Sequence, residues 1–143
     1  MKKESNRENI RNSLAERGLK VTPQRIGILE AIYSLNNHPT AENIITEVRQ
    51  NYPSIASGTV YKVLDTLVNN NLINKVTTDK GVMRYDGITE NHHHLYCSDC
   101  DLIQDYFDEE LDQLLREHFE KKNLPNFKID EFVLQIKGKF TEY

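Results

Sequence analysis

Tryptophan is absent from this chain of 143 residues, which has only two cysteines, four prolines and six glycines. The cysteines, Cys97 and Cys100, are too few and too close in sequence for the disulfide framework of a small secreted domain. No apolar run approaches the roughly 20 residues that a membrane helix needs, and no apolar stretch follows residues 1–6 to form a signal peptide. We therefore expect a folded cytoplasmic protein with no membrane partner.

Charge is unevenly distributed, although the net charge of −4 at first argues against a nucleic-acid partner. Residues 1–88 contain 12 Lys and Arg against 9 Asp and Glu, whereas residues 89–143 contain 6 against 13. An acidic half can belong to a DNA-binding protein when it faces away from the duplex. The division favours two domains with different functions, although unevenly charged solvated faces would also explain it.

The sequence before residue 53 contains start, end and spacing signals for three helices. Helix N-caps are expected at Thr22, where Pro23 takes the first helical position, and at Thr40. Gly18 suits the end of the first helix. The residues that recur at helical spacing are Ile10 and Leu14 in the first helix, Ile26, Leu29 and Tyr33 in the second, and Ile44 and Val48 in the third.

A fourth amphipathic helix and a hairpin follow Ser57. Helical spacing predicts a buried face formed by Val60, Val63, Leu64 and Leu67. The opposite, polar face is formed by Thr59, Lys62, Thr66 and Asn69. Residues 72–78 and 82–85, joined by the turn Asp79-Lys80-Gly81, indicate a two-stranded hairpin. Helices followed by a hairpin are typical of a winged helix-turn-helix, although such strings also occur in protein-binding modules.

The acidic half predicts a small αβ unit. Residues 94–96 and 101–103 indicate short strands, a helix follows with Leu111, Leu114, Leu115 and Phe119 on one face, and residues 127–140 alternate as a long final strand. About 50 residues are too few for a comfortably stable core, so we expect a homodimer. The chain is thus predicted to be α+β, with a winged helix-turn-helix in residues 1–88 and an αβ dimerisation domain in residues 89–143.

Residues 84–105 concentrate the residue types that bind metals. In an extended strand His92 and His94 point to the same side while His93 points away, so the first and third histidines can bind one ion. A solvated histidine-rich loop is the alternative explanation for this cluster.

Three stretches resemble the signature sequences of the ferric uptake regulator (Fur) family, in order and in spacing. They are Leu19 to Arg25, Thr59 to Leu64, and His92 to Cys100. Within that family the chain is most similar to the peroxide-sensing branch, PerR. The resemblance implies a winged helix, a dimerisation domain and a divalent ion that holds the dimer in its DNA-binding shape.

Carried over residue by residue, the family's regulatory metal ligands fall on competent donors at every position. They are His38, Asp86, His92, His94 and Asp105. Three imidazoles and two carboxylates suit Mn(II) or Fe(II) better than a closed zinc tetrahedron. One ion bound by residues from both domains would favour the closed state of a hinge.

Asp105 indicates which stimulus the protein senses, because the resemblance implies aspartate at this position in peroxide sensors and glutamate in iron sensors. We therefore expect a peroxide sensor in which Fe(II) promotes oxidation of His38 or His92, and an iron- or manganese-responsive repressor as the alternative.

The chain departs from the family at the structural zinc site. Phe140 and Tyr143 stand where most members have a second Cys-x-x-Cys, and two cysteines do not complete a zinc tetrahedron. We expect no structural zinc, apolar packing in its place, and free thiols at Cys97 and Cys100 that could form a local disulfide under oxidant. A further accessory metal site is also doubtful, since Phe132 lies where many members have histidine.

Palindromic double-stranded DNA is the expected partner. The family's recognition-helix motif assigns base or phosphate contacts to the fourth helix, and Arg25 is expected at a phosphate. The residues expected at DNA are Arg25, Ser57, Thr59, Tyr61 and Lys62, with Lys20, Lys75 and Lys80 as weaker candidates.

Three other functions compete with a repressor. A metal hydrolase would need an open ligand position and a base, and neither is indicated. A thiol–disulfide oxidoreductase would need its Cys-x-x-Cys at a helix N-terminus, which the sequence does not indicate. A metal-storage or interaction module is the third, and metal-dependent DNA binding would separate the repressor from all three.

Overall fold

The protein, in a computed structural model, is α+β as predicted, and its chain divides into two compact units, residues 1–89 and 90–143. The structure describes residues 2–78 and 80–141, with side chains from Arg7 onward. No helix in these residues is long and apolar enough to cross a membrane.

Four helices and a hairpin form the N-terminal unit. The elements are α1 (Lys2–Glu16), α2 (Pro23–Leu35), α3 (Ala41–Val48), α4 (Ser57–Asn69), β1 (Asn74–Thr77) and β2 (Met83–Asp86). The two strands pair antiparallel with Asn74 opposite Asp86. This order is that of a helix-turn-helix followed by a wing.

Local capping determines where α2 and α3 begin. The Thr22 hydroxyl accepts the backbone N–H of Arg25, with Pro23 at the first helical position. Thr40 and Asn43 exchange side-chain and backbone hydrogen bonds in a capping box. Both N-caps agree with the sequence prediction, because they depend only on neighbouring residues.

The N-terminal core is built from the helix faces that periodicity predicts. Val60, Val63, Leu64 and Leu67 are all buried in α4. Tyr33, which shares the helical spacing of Ile26 and Leu29, is 44% exposed. Its ring packs against Gly87, where a Cβ would be only 2.6 Å from the ring. Glycine at this position therefore leaves space for the Tyr33 ring at the edge of the core.

The wing turn needs a glycine. Gly81 has a φ of +73°, a conformation that residues with a Cβ rarely adopt, and its N–H donates to Thr78 O. Asp79, predicted in the same turn, lies outside the described residues.

The C-terminal unit is a three-stranded sheet with one helix. Its elements are β3 (His93–Cys97), β4 (Leu102–Tyr106), α5 (Glu109–Lys122) and β5 (Gln135–Gly138). The strand order is β4-β3-β5, with β3 antiparallel to β4 and parallel to β5. Strand β3 is therefore central.

The final strand is shorter than the alternation of residues 127–140 predicts. Strand β5 covers only Gln135–Gly138, although Leu134 O also accepts the His94 N–H at 2.9 Å. The Leu134 N–H donates to the His93 ring, so this donor is not used in strand pairing. The predicted long strand is therefore wrong for residues 127–134.

Helix α5 has a capped start and an apolar face that is only partly covered. Asp108 accepts the N–H of Leu111. No residue of α5 is buried, and Leu114 is 57% exposed within the single chain. Phe127, Val133 and Ile136 are also exposed. The C-terminal unit thus presents apolar surface of the kind that a partner covers.

Replacement of Leu14 by Ala should lower the free energy of unfolding by about 2–5 kcal/mol, because the fully buried side chain leaves a cavity. Urea denaturation followed by circular dichroism measures the change. The exposed neighbour Asn12 provides the control, since Asn12→Ala should change stability by less than about 0.5 kcal/mol. Equal effects of the two substitutions would contradict this core assignment.

Candidate metal centre

His38 and Asp86 form a buried pair in the N-terminal unit, named here the N-terminal pair. The His38 Nε2 atom lies 3.3 Å from Asp86 Oδ2, and both residues are 6% exposed. Asp86 ends strand β2, and His38 belongs to the loop between α2 and α3. Two residues 48 positions apart are therefore brought together by the tertiary structure of one unit.

The loop that carries His38 is strained and is held by strand β2. His38 has a φ of 58°, a left-handed conformation that is uncommon for a residue with a side chain. Arg84 donates from Nη1 to His38 O at 3.0 Å, and the Tyr85 N–H donates to Pro39 O at 2.9 Å. These bonds position His38 next to Asp86 and help offset the backbone strain.

His92, His94 and Asp105 form a second cluster in the C-terminal unit, named here the C-terminal triad. Asp105 lies opposite His94 in the β3–β4 ladder. Its Oδ1 atom lies 3.0 Å from His92 Nε2 and 3.6 Å from His94 Nε2. Each residue offers a ligand atom within 4.8 Å of the other two. Strand alternation thus places both histidines beside one carboxylate.

Two neighbours orient the His92 ring. Its Nδ1–H donates to Glu90 O at 2.6 Å, and Phe107 stacks on the ring with centroids 5.1 Å apart. A hydrogen bond from one ring nitrogen fixes the orientation of a histidine ligand and leaves its other nitrogen for a metal.

His93 points to the opposite side of the strand and has no exposed surface. Its Nδ1 accepts the Leu134 N–H at 3.0 Å, so Nε2 carries the proton, which it donates to Asp112 of α5. Both ring nitrogens are used within the fold. His93 therefore connects β3 to α5 and to the segment before β5.

The donor chemistry of both clusters fits a divalent cation. Imidazole nitrogen and carboxylate oxygen are ligands of Mn(II), Fe(II) and Zn(II). The N-terminal pair supplies one nitrogen and one carboxylate, and the C-terminal triad supplies two nitrogens and one carboxylate, all in buried or half-buried positions.

Cys97 and Cys100 are bonded to each other through their sulfur atoms. The expectation of free thiols is therefore corrected in favour of the local disulfide that was its alternative. The physical reason is that the turn after β3 brings the two Cα atoms to 5.6 Å, within the range that a disulfide spans. Of the two residues predicted to replace zinc-binding cysteines, Phe140 follows β5 and Tyr143 lies outside the described residues.

The residues predicted at DNA occupy the N-terminal unit, and several are accessible. Tyr61 is 46% exposed and Lys62 is exposed on α4. Ser57 accepts a hydrogen bond from Arg49, and Thr59 is half-buried. Arg25 is half-buried and donates to Lys20 O at 2.8 Å. The α4 N-cap, Ala56, provides no side-chain acceptor, so the first N–H groups of this helix have no side-chain cap.

Two tyrosines close to these clusters have raised pKa values. Burial, and then the charge of Asp65, raises the pKa of Tyr85, which precedes Asp86. The hydrogen bond to Asp108 raises the pKa of Tyr106 and lowers the pKa of the Asp108 carboxyl. Tyr106 therefore remains neutral at physiological pH and donates a hydrogen bond to the N-cap residue of α5.

Sequence reasoning missed Phe107, the contact of Arg84 with the His38 carbonyl, and the structural role of His93. The contacts of Arg84 and Phe107 with the predicted ligands arise only on folding. For His93 a signal was available, since strand alternation already separated it from His92 and His94.

Comparison with known proteins finds relatives both by sequence and by structure. The model of the ferric uptake regulator family matches residues 16–137. The chain is 31% identical to the peroxide operon regulator of Bacillus subtilis over 88% of this chain and 85% of that protein. The Helicobacter pylori ferric uptake regulator superposes with a TM-score of 0.75 at 27% identity, covering 95% of this chain and 91% of that one. The Campylobacter jejuni peroxide stress regulator gives 0.71 at 25% identity, covering 94% and 96%.

Replacement of His93 by Gln should destabilise the C-terminal unit by about 2–4 kcal/mol, because two buried hydrogen bonds are lost or distorted. Hydrogen exchange of β3 and α5 amides, together with urea denaturation, measures the effect. His118→Gln, at an exposed position of α5, is the matched control and should leave stability nearly unchanged. A His93 variant as stable as the control would show that these bonds contribute little.

Proposed function

This chain belongs to the ferric uptake regulator family, and we propose that it is a metal-dependent transcriptional repressor that senses peroxide through oxidation of a histidine ligand. The main support is the C-terminal triad, in which two buried imidazoles face the Asp105 carboxylate. The similarity of the chain to the peroxide operon regulator of B. subtilis agrees with this function.

We assign the regulatory ion to five ligands, the N-terminal pair together with the C-terminal triad. They are His38, Asp86, His92, His94 and Asp105. Only five residues separate Asp86 from His92 in sequence, so ligands on both sides of this short connection can bind one ion. An ion bound by both units stabilises the arrangement in which all five ligands meet, and it favours DNA binding if that arrangement presents α4 to DNA.

Fe(II) and Mn(II) are the proposed ions. Two carboxylates and three imidazoles form a relatively hard set with more ligands than a zinc tetrahedron uses. Zinc remains the stronger competitor in raw affinity, so metal availability would decide occupancy.

The sensing step is assigned to the histidine ligands. When held by these five residues, Fe(II) would activate hydrogen peroxide, which is itself the two-electron oxidant of the step. The O–O bond would break, one oxygen would replace a ring hydrogen of the His92 or His38 imidazole, and the other would leave as water. An oxidised imidazole is a poorer ligand, so the five residues no longer favour a common arrangement and DNA is released.

The alternative is an iron- or manganese-responsive repressor without peroxide chemistry. Asp105 favours the sensor, because the family resemblance associates aspartate at this position with peroxide sensors. The Asp105 carboxylate contacts both histidines of the C-terminal triad. The length of the side chain at position 105 therefore affects how closely these histidines approach an ion.

DNA binding is assigned to α4 of a homodimer on a palindromic site in the cytoplasm. Tyr61 and Lys62 are accessible on this helix, and residues 1–88 contain the net positive charge. The exposed apolar residues Leu114, Phe127, Val133 and Ile136 support dimerisation through the C-terminal unit. A two-fold dimer presents two recognition helices to two half-sites.

Fe(II)-loaded protein treated with one equivalent of hydrogen peroxide should gain one oxygen on the peptide that contains His92 or His38, with loss of DNA binding. Mass spectrometry of a digest and a gel-shift assay measure the two effects. Mn(II)-loaded protein is the control and should bind DNA before and after peroxide, because Mn(II) does not readily reduce it. Asp105→Glu should retain metal binding while its histidines oxidise more slowly. Unmodified histidines with unchanged DNA binding would favour the alternative function.

Lys62→Glu should abolish DNA binding, because it replaces a favourable contact with phosphate by repulsion. Mn(II) affinity, measured by calorimetry, should not change. Lys128→Glu makes the same charge change at an exposed position of the C-terminal unit, so it should retain most DNA binding. If Lys62→Glu lowered metal and DNA affinity equally, the role of α4 would need to be reassigned.

A further inference from the structure

We propose that Cys97 and Cys100 form a second peroxide-responsive site, a dithiol that hydroperoxides oxidise to an internal disulfide without a metal. This site differs from the histidine chemistry proposed above in its residues, its product and its independence of Fe(II). It therefore stands or fails separately from the peroxide-sensing ion.

The geometry of the turn after β3 favours this pair. The sulfurs are bonded, and the Cα atoms lie 5.6 Å apart. The chain has no other cysteine. Within one chain, each thiol therefore has only the other as a disulfide partner.

A structural metal does not fit this turn. Closed zinc sites use four nitrogen or sulfur ligands, and the described residues place no group of three or more His, Cys, Asp or Glu around either sulfur. The nearby Asp99 carboxylate instead contacts Lys139 Nζ at 3.1 Å. Without a zinc ion to bind them, reduced thiols here are available to oxidants.

The two cysteines differ in access. Cys97 is 2% exposed and ends β3, where it pairs with Leu102 and Gly138 in the neighbouring strands. Cys100 is half-buried on the turn, so an oxidant reaches it first. The Cys100 N–H donates to Cys97 Sγ at 3.3 Å, which keeps the buried sulfur next to Cys100. Cys100 is therefore the site of attack, because it is the more accessible thiol, and the buried Cys97 thiol completes the disulfide.

A hydroperoxide is the two-electron oxidant that converts the two thiols to a disulfide. The Cys100 thiolate attacks a peroxide oxygen, the O–O bond breaks, and a sulfenic acid and hydroxide are formed. The Cys97 thiolate then attacks the Cys100 sulfur, the S–O bond breaks, and hydroxide leaves. Two thiols lose two electrons and two protons, and hydrogen peroxide becomes two water molecules.

The sheet should tolerate both redox states. Closing a loop between residues only three apart removes little chain entropy, so the disulfide adds little stability. The end of β5 is held beside this turn by the pairing of Cys97 with Gly138 and by the Lys139–Asp99 ion pair. The dithiol can therefore be oxidised and reduced without unfolding.

The test uses full-length protein, fully reduced and then prepared both metal-free and with Mn(II). Stoichiometric hydrogen peroxide should consume both thiols in a colorimetric assay and remove two hydrogen atoms from the intact mass, with no oxygen added to histidine. The product should remain a single chain on a non-reducing gel. Dithiothreitol should restore both thiols.

Two variants identify the order of attack. In Cys97→Ser, Cys100 should accumulate as a sulfenic acid that dimedone traps. In Cys100→Ser, the buried Cys97 should react about tenfold more slowly than Cys100 does. Circular dichroism of both variants checks that they are folded.

Three results would overturn the proposal. They are one zinc per chain that requires Cys97, thiols that survive stoichiometric peroxide in the wild-type protein, and disulfide-linked dimers as the main product. The wild-type measurements remain decisive even if a variant does not fold.

Discussion

Side chains alternate between the faces of a β-strand, and strand β3 uses both of its faces for histidine. On one face, His93 binds Asp112 and the Leu134 N–H, which attaches the strand to α5 and to the segment before β5. The neighbouring His92 and His94 face Asp105. A shift of register by one residue would exchange these faces and remove both arrangements at once. The C-terminal triad therefore depends on the bonds that hold His93.

The N-terminal pair depends on a different constraint. A histidine with left-handed backbone is unfavourable unless its surroundings hold it, and here Arg84 and Tyr85 bind the loop to strand β2. The same strand ends in Asp86, so one element supports the His38 backbone and supplies the partner of its side chain. Strain in the loop is thus associated with a ligand pair in the N-terminal unit, while the C-terminal triad rests on ordinary strand geometry.

Strand β3 also links the proposed chemistry at its two ends. The C-terminal triad lies at its beginning and Cys97 is its last residue. A metal-dependent and a metal-independent response to peroxide would then share one short, central strand. Because the disulfide closes only a local turn, its formation need not disturb the histidines at the other end.

The sequence alone determined the features that depend on neighbouring residues. Thr22 and Thr40 cap helices because capping needs only the next three residues, and the buried face of α4 follows from helical spacing. Alternation also assigned His92 and His94 to one side of a strand and His93 to the other. The family resemblance contributed the five proposed ligands, which periodicity could not have selected.

Tertiary structure decided the features that depend on distant residues. The Tyr33 ring packs against Gly87, far along the chain, where a Cβ would leave it no space. Just before the last strand, the Leu134 N–H donates to the ring of a histidine 41 residues away. His38 meets Asp86 only when strand β2 packs against its loop. Such contacts cannot be read from local patterns, because each depends on which distant group occupies a particular position after folding.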